Sequence, residues 1–137
     1  MTVHRFAPVI SLLVGLACAR SAPPTTIIPL DQDVVLAPAT PVAVPSSNLR
    51  LSFERVSADS RCPADAVCVW AGNATVQVRV TDNGQLPREF SLNSTTAPTS
   101  VSFDGYVLRF VALSPTPVST TPIDPKDYRL TIRLERP

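Results

Sequence analysis

Histidine is all but missing from this 137-residue chain: its one copy, His4, lies at the extreme N-terminus. Without histidine in the rest of the chain there is no Ser-His-Asp or Cys-His catalytic system, and no imidazole ligand for zinc or copper. Glycine is scarce, at 4 residues, and forms neither a Gly-rich phosphate loop nor a dinucleotide-binding fingerprint. Lysine occurs once, at Lys126, and there is no basic run. The 12 Lys and Arg residues nearly cancel the 11 Asp and Glu, which excludes an electrostatic footprint for nucleic acid. Of the three cysteines, Cys62 and Cys68 are too few for a four-thiolate zinc site and too widely spaced for the Cys-x-x-Cys of thiol exchange. The sequence implies no metal ion and no cofactor.

Aromatic residues make up only 6% of the chain, whereas proline reaches 15 residues. That balance favours short β-branched strands joined by Pro-bearing loops over helices. The apolar run at residues 9–17 is too short to cross a bilayer, which takes about 20 residues. Behind the basic start at His4 and Arg5 it reads as an export signal, residues 1–19. Gly15-Leu16-Ala17-Cys18 resembles the lipobox of bacterial lipoproteins, with Gly where Leu is usual, and makes Cys18 the expected lipidation site. Ala17-Cys18-Ala19 also fits ordinary secretory cleavage, which discards Cys18. Either outcome leaves Cys62 and Cys68 as an even pair in an oxidising compartment, where a disulfide is expected. Residues 20–30, rich in Ser, Ala, Pro and Thr, read as a tether, and residues 31–137 as the folded domain.

Within that domain, residues 49–54, 74–81 and 128–135 alternate apolar and polar, the pattern of half-buried strands. Weaker strand candidates fall at residues 34–36, 41–44, 88–92, 100–103 and 106–113. Asp82-Asn83-Gly84 and Asp104-Gly105 supply hairpin turns. Nothing in the chain sustains a 3.6-residue period. Seven or eight short strands without helices predict an all-β fold, an antiparallel β-sandwich of immunoglobulin-like Greek-key type. In that arrangement the Pro-rich stretch at residues 114–125 carries the chain between sheets before the last strand.

The stretch from Asp59 to Gly72 holds the only Trp and both paired cysteines. Pro63 fixes φ just after Cys62, so a Cys62–Cys68 bridge would hold this loop in one shape. Trp70 is expected to pack on the disulfide or the sheet end; an exposed Trp70 acting as a binding anchor is the alternative. Asp59 is expected to cap the turn, and Arg61 to pair with Asp59 or Asp65. Gly72 lets the backbone turn into the following strand.

Asp-Ser-Arg-Cys-Pro at residues 59–63 followed by Cys-Val-Trp-Ala-Gly at 68–72 resembles a motif of small uncharacterised bacterial secreted proteins and lipoproteins. The resemblance covers residues 56–80 and extends more loosely to Leu113-Ser114-Pro115-x-Pro117 and Tyr128-x-Leu130. It implies an exported β-rich domain with Cys62 bridged to Cys68, and carries no activity with it. The sequence therefore points to a non-enzymatic domain of the bacterial envelope, or a secreted one. Its loop, with Asp59, Arg61, Asp65 and Trp70 as candidate binding residues, or its sheet edge would meet a protein or glycan. Membrane contact is expected only through the N-terminal lipid. Two other readings are a protease inhibitor that presents Arg61 or Val67, and a hydrolase or Ca²⁺ site built on Asp59 and Asp65.

Overall fold

Alternation over residues 74–81 puts Ala74, Val76, Val78 and Val80 on one face of a strand, and all four are buried. A computed structural model describes residues 25–137; the signal segment, Cys18 and the first part of the tether lie outside the described residues. Eight strands form: β1 (Asp33–Leu36), β2 (Val42–Ala43), β3 (Arg50–Asp59), β4 (Ala74–Thr81), β5 (Arg88–Asn93), β6 (Ser100–Phe103), β7 (Tyr106–Ser114) and β8 (Arg129–Glu135). Among the described residues the one helical element is a 3-10 turn at Pro125–Asp127, and no helix is long and apolar enough to cross a membrane.

The strands make two antiparallel four-stranded sheets, β2-β3-β4-β5 and β1-β8-β7-β6. Between them lie the inward residues of each period-two run, including Leu51 and Phe53 of β3, Leu108 of β7, and Leu130, Ile132 and Leu134 of β8. Each such fully buried side chain contributes about 1.5–3 kcal/mol. No polar or charged residue is buried among the described residues, so no polar desolvation cost is set against that gain.

The β-sandwich forms as expected, but the immunoglobulin-like Greek-key order does not. Successive strands β2 to β5 are neighbours in one sheet and β6 to β8 in the other, and only the β1–β8 pairing joins strands distant in sequence. The Pro-rich stretch does not carry the chain between sheets. β7 and β8 pair from Val107↔Glu135 to Ser114↔Arg129, so residues 115–128 form a long excursion that returns to the same sheet. Its prolines keep it off the ladder, as expected, and it folds over the end of the sandwich.

Two local patterns depart from simple alternation. β3 runs on past Glu54 to Asp59 through register shifts at Phe53/Arg55 and Val56/Ala58. These bulges absorb the break in alternation at Arg55 and Val56, and extend the strand into the Cys loop. At the other end, Thr26 to Ile28 lie against β2: Ala43 N–H donates to Thr26 O, and Ile28 N–H to Ala43 O, at 2.8 and 3.1 Å. Ile28 is fully buried, so packing begins within the stretch read as tether. The Asp104-Gly105 hairpin has positive φ at both positions, 46° and 79°, as a tight two-residue turn requires.

Candidate functional site

Residues 60–73 connect β3 to β4 at one end of the sandwich, and the β7–β8 excursion lies over the same end. Arg61 joins the two. Its Nε donates to Asp59 Oδ1 at 2.8 Å and its Nη2 to Asp59 Oδ2 at 2.6 Å, a side-on bidentate pair. The rest of the guanidinium reaches the other sheet, donating to the carbonyl of Leu113 and, at 2.9 Å, to that of Pro115. Tyr128, at the start of β8, donates its hydroxyl to Asp59 Oδ2 at 3.1 Å. With side chains only 15% and 11% exposed, Arg61 and Asp59 form an internal brace and do not face a ligand. The pairing of Arg61 with Asp59 is one of the two anticipated from sequence. Arg61 also has no guanidinium nitrogen free to enter a protease pocket.

Asp65 makes a second brace. It accepts from the backbone N–H and hydroxyl of Ser119 at 2.9 and 3.0 Å, while Ala64 N–H donates to Pro117 O at 2.9 Å. The far limb of the loop is fixed to the β5 end: Thr95 Oγ1 donates to Gly72 O at 2.7 Å, and Asn73 Nδ2 to Asn93 Oδ1 at 3.0 Å. The side chains of Asn73 and Asn93 are thereby engaged within the fold. Between these anchors Cys62 and Cys68 are bridged, with Cα atoms 5.9 Å apart. Replacing both by Ser is expected to lower the unfolding free energy by about 2 kcal/mol, from loop closure alone. Urea titration of oxidised wild type and the double variant measures this, and an unchanged midpoint would mean the braces alone hold the loop.

Burial works to raise the Asp59 carboxyl, but the side-chain and backbone hydrogen bonds of Arg61, its charge and the Tyr128 hydroxyl outweigh it, and the net shift is down. Asp65 is also held down, chiefly by the Ser119 backbone N–H and then its hydroxyl. Tyr128 is pushed up, first by burial and then by its bond to the Asp59 carboxylate. A depressed carboxyl stabilises the fold above its unfolded pKa, and the contribution is lost as pH falls through the folded value. A raised phenol stabilises below its unfolded pKa and is lost as pH rises through the folded value. Stability should therefore fall off below about pH 4 and again above about pH 10. Urea midpoints across that range measure both limbs, and Asp59→Asn should make the acid limb shallower. A general acid needs its pKa moved toward neutrality, the opposite of what both carboxylates show. The two also bind different partners, and among the described residues no three His, Cys, Asp or Glu side chains converge on a common point.

Beyond Ser60 and Asp65, what the braced loop exposes is apolar. Val67 and Val69 are 104% and 91% exposed, and Trp70 is 81% exposed, so Trp70 does not pack on the disulfide or the sheet end. The reason lies in the loop's hydrogen bonds: Ser60 N–H to Asn73 O at 2.8 Å and Cys62 N–H to Ala71 O at 3.0 Å pair the two limbs of the loop. This sends residues 63–70 out beyond the sheets. No protein-family model, curated protein or solved structure matches this chain. The tip's chemistry is therefore that of its own residues. Of the four candidate binding residues, the fold makes Asp59, Arg61 and Asp65 into braces and leaves Trp70 at the surface. Beside Trp70 lies a groove of about 450 Å³ lined by Ser60, Ala71, Gly72, Asn73, Thr95 and Thr96. Thr95 and Thr96 carry no sequence signal of a place beside Trp70, because only the pairing of the loop limbs brings the β5–β6 connection alongside it.

Proposed function

We propose that this chain is an exported, non-enzymatic binding domain of the bacterial envelope, tethered by lipid at Cys18 or freely secreted, that offers its disulfide-braced loop to a protein or glycan. One observation carries the reading: three large apolar side chains, Val67, Val69 and Trp70, stand exposed within one short stretch of a loop fixed by a disulfide and by hydrogen bonds to both sheets. Exposed apolar clusters on an otherwise polar surface mark interaction sites, and a rigid loop loses little entropy on binding.

Trp70→Ala is expected to leave stability within about 0.5 kcal/mol of wild type, since an exposed side chain outside any hydrogen-bond network contributes little. The same substitution should remove partner binding. A photo-crosslinking residue at position 70, expressed in the envelope of the host bacterium, should give discrete adducts that are absent when it replaces Arg109 on the outer face of β7. Adducts identical at the two positions, or none at position 70, would sink the reading. Intact mass of the recovered protein separates the two forms, since a chain beginning at acylated Cys18 differs from one beginning near Arg20.

A second reading, a protease inhibitor, is favoured by Val67 alone, which stands fully exposed within the ring. Titration against a panel of serine and cysteine proteases tests it; no inhibition at micromolar protein would end it.

A further inference from the structure

Resting on the binding-domain reading, we infer that the groove beside Trp70 takes a neutral saccharide. It is lined by Trp70, Ala71, Gly72, Thr95 and Thr96, together with Ser60 and Asn73, whose side-chain polar atoms are already bonded within the fold, and none of these residues is charged. Of the nearest charged side chains of the loop, Asp59 and Arg61 are occupied by internal partners, and Asp65, exposed and bonded to Ser119 through Oδ1 alone, does not line the groove. A charged ligand therefore finds no counter-ion there.

An exposed aromatic face bordered by uncharged hydroxyls suits a sugar ring, whose C–H face stacks on the indole while its hydroxyls meet polar neighbours. The polar capacity is present. The Trp70 indole N–H and the Thr96 hydroxyl have no hydrogen-bond partner among the described residues, and Thr95 Oγ1, which donates to Gly72 O at 2.7 Å, keeps lone pairs to accept. A volume of about 450 Å³ falls within the range of small-ligand sites.

The position of the groove argues against a bilayer as its occupant. The described chain enters at Thr25, which accepts a hydrogen bond from Arg50 Nη1 at 3.3 Å. Arg50 opens β3, and the Cys loop follows Asp59 at the other end of that strand. A strand of 10 residues separates them by about 30 Å. A lipid tether entering at Thr25 would hold Trp70 at the end of the domain far from its membrane. Val67 and Val69 do not line the groove, so ligand contact there rests on one ring and its uncharged neighbours and not on the valine tip of the loop.

Trp70 is the only tryptophan in the chain, so emission from its indole reports this site alone. The full mature, oxidised protein would be titrated with N-acetylglucosamine and β-glucose oligomers of three and four units. The expected result is a saturable blue shift with at least one series, weakened on the order of tenfold in Thr96→Val, which keeps the reporter and the Thr95–Gly72 anchor and loses one hydroxyl. No shift with either series up to tens of millimolar, or a shift untouched by Thr96→Val, overturns the saccharide assignment. If vesicles of phosphatidylethanolamine and phosphatidylglycerol, or the species crosslinked at position 70, then shift the emission, the occupant is a bilayer or a protein and the binding-domain reading stands. If nothing shifts it and position 70 gives no crosslink, both readings fall.

Discussion

Gly72→Ala should destabilise the domain by about 2–5 kcal/mol, a large fraction of the roughly 5–15 kcal/mol that holds a small domain together. Gly72 has φ +69°, and a Cβ added there would lie 1.8 Å from Ser60 O, 2.7 Å from Ser60 C and 2.9 Å from Arg61 Cα. All three atoms are backbone, so no side chain can rotate away. The left-handed conformation costs an L-residue roughly 1–2 kcal/mol, and forcing the two limbs of the loop apart adds about 1–3 kcal/mol or more. The same displacement breaks the Ser60–Asn73 and Cys62–Ala71 backbone pairs on either side.

Gly84→Ala supplies the control. Gly84 has φ +95°, but a methyl group added there would meet nothing within 4 Å, so it should lose only the conformational part, about 1–2 kcal/mol. Urea denaturation of both variants separates strain from collision. Equal losses would mean that the loop limbs move apart freely and that the tip is not held rigid.

Arg61→Ala is the second large effect, at about 3 kcal/mol. Its removal strands the Asp59 carboxylate and the carbonyls of Leu113 and Pro115, all of which the guanidinium now satisfies. Leaving buried acceptors without a donor costs about 1–3 kcal/mol each in the least exposed cases, and less where water can enter. Arg61→Lys should recover only a minor part, because an ammonium cannot make the side-on pair with Asp59 while also reaching two carbonyls. A double-mutant cycle with Tyr128→Phe should show coupling of about 0.5–3 kcal/mol, since both residues act through Asp59. Additive losses would place Tyr128 outside the brace. Hydrogen exchange at Ala64 and Ser119 should quicken in Arg61→Ala, as the excursion between β7 and β8 comes away from the Cys loop.

The strands are legible in the sequence because each inward face repeats at period two: Val76, Val78 and Val80, or Leu130, Ile132 and Leu134, leave little choice of structure. Strand order is not legible. The Pro-rich stretch looks the same in sequence whether it crosses to the other sheet or returns beside β7. The β7–β8 ladder places the last strand, and the stretch is then held against the Cys loop by the backbone carbonyls of Leu113, Pro115 and Pro117, which carry no side-chain signature. For the same reason Asp59, Arg61 and Asp65 look equally available for ligand and for structure until their acceptors and donors across the loop are known. The exposure of Trp70 runs against the ordinary preference of large aromatics for burial, which the paired loop limbs override. Asp59, Arg61, Leu113, Pro115 and Tyr128, scattered along the sequence, meet at the Arg61 brace, which no local pattern in the sequence announces.

The pairing of β1 with β8, from Asp33↔Arg133 to Leu36↔Leu130, sets the order of assembly. The first strand has no partner in its sheet until the last has been made, so the second sheet cannot close on a partial chain. A contact spanning almost the whole domain must form early enough to matter and late enough to wait for the C-terminus, which favours slow, all-at-once folding.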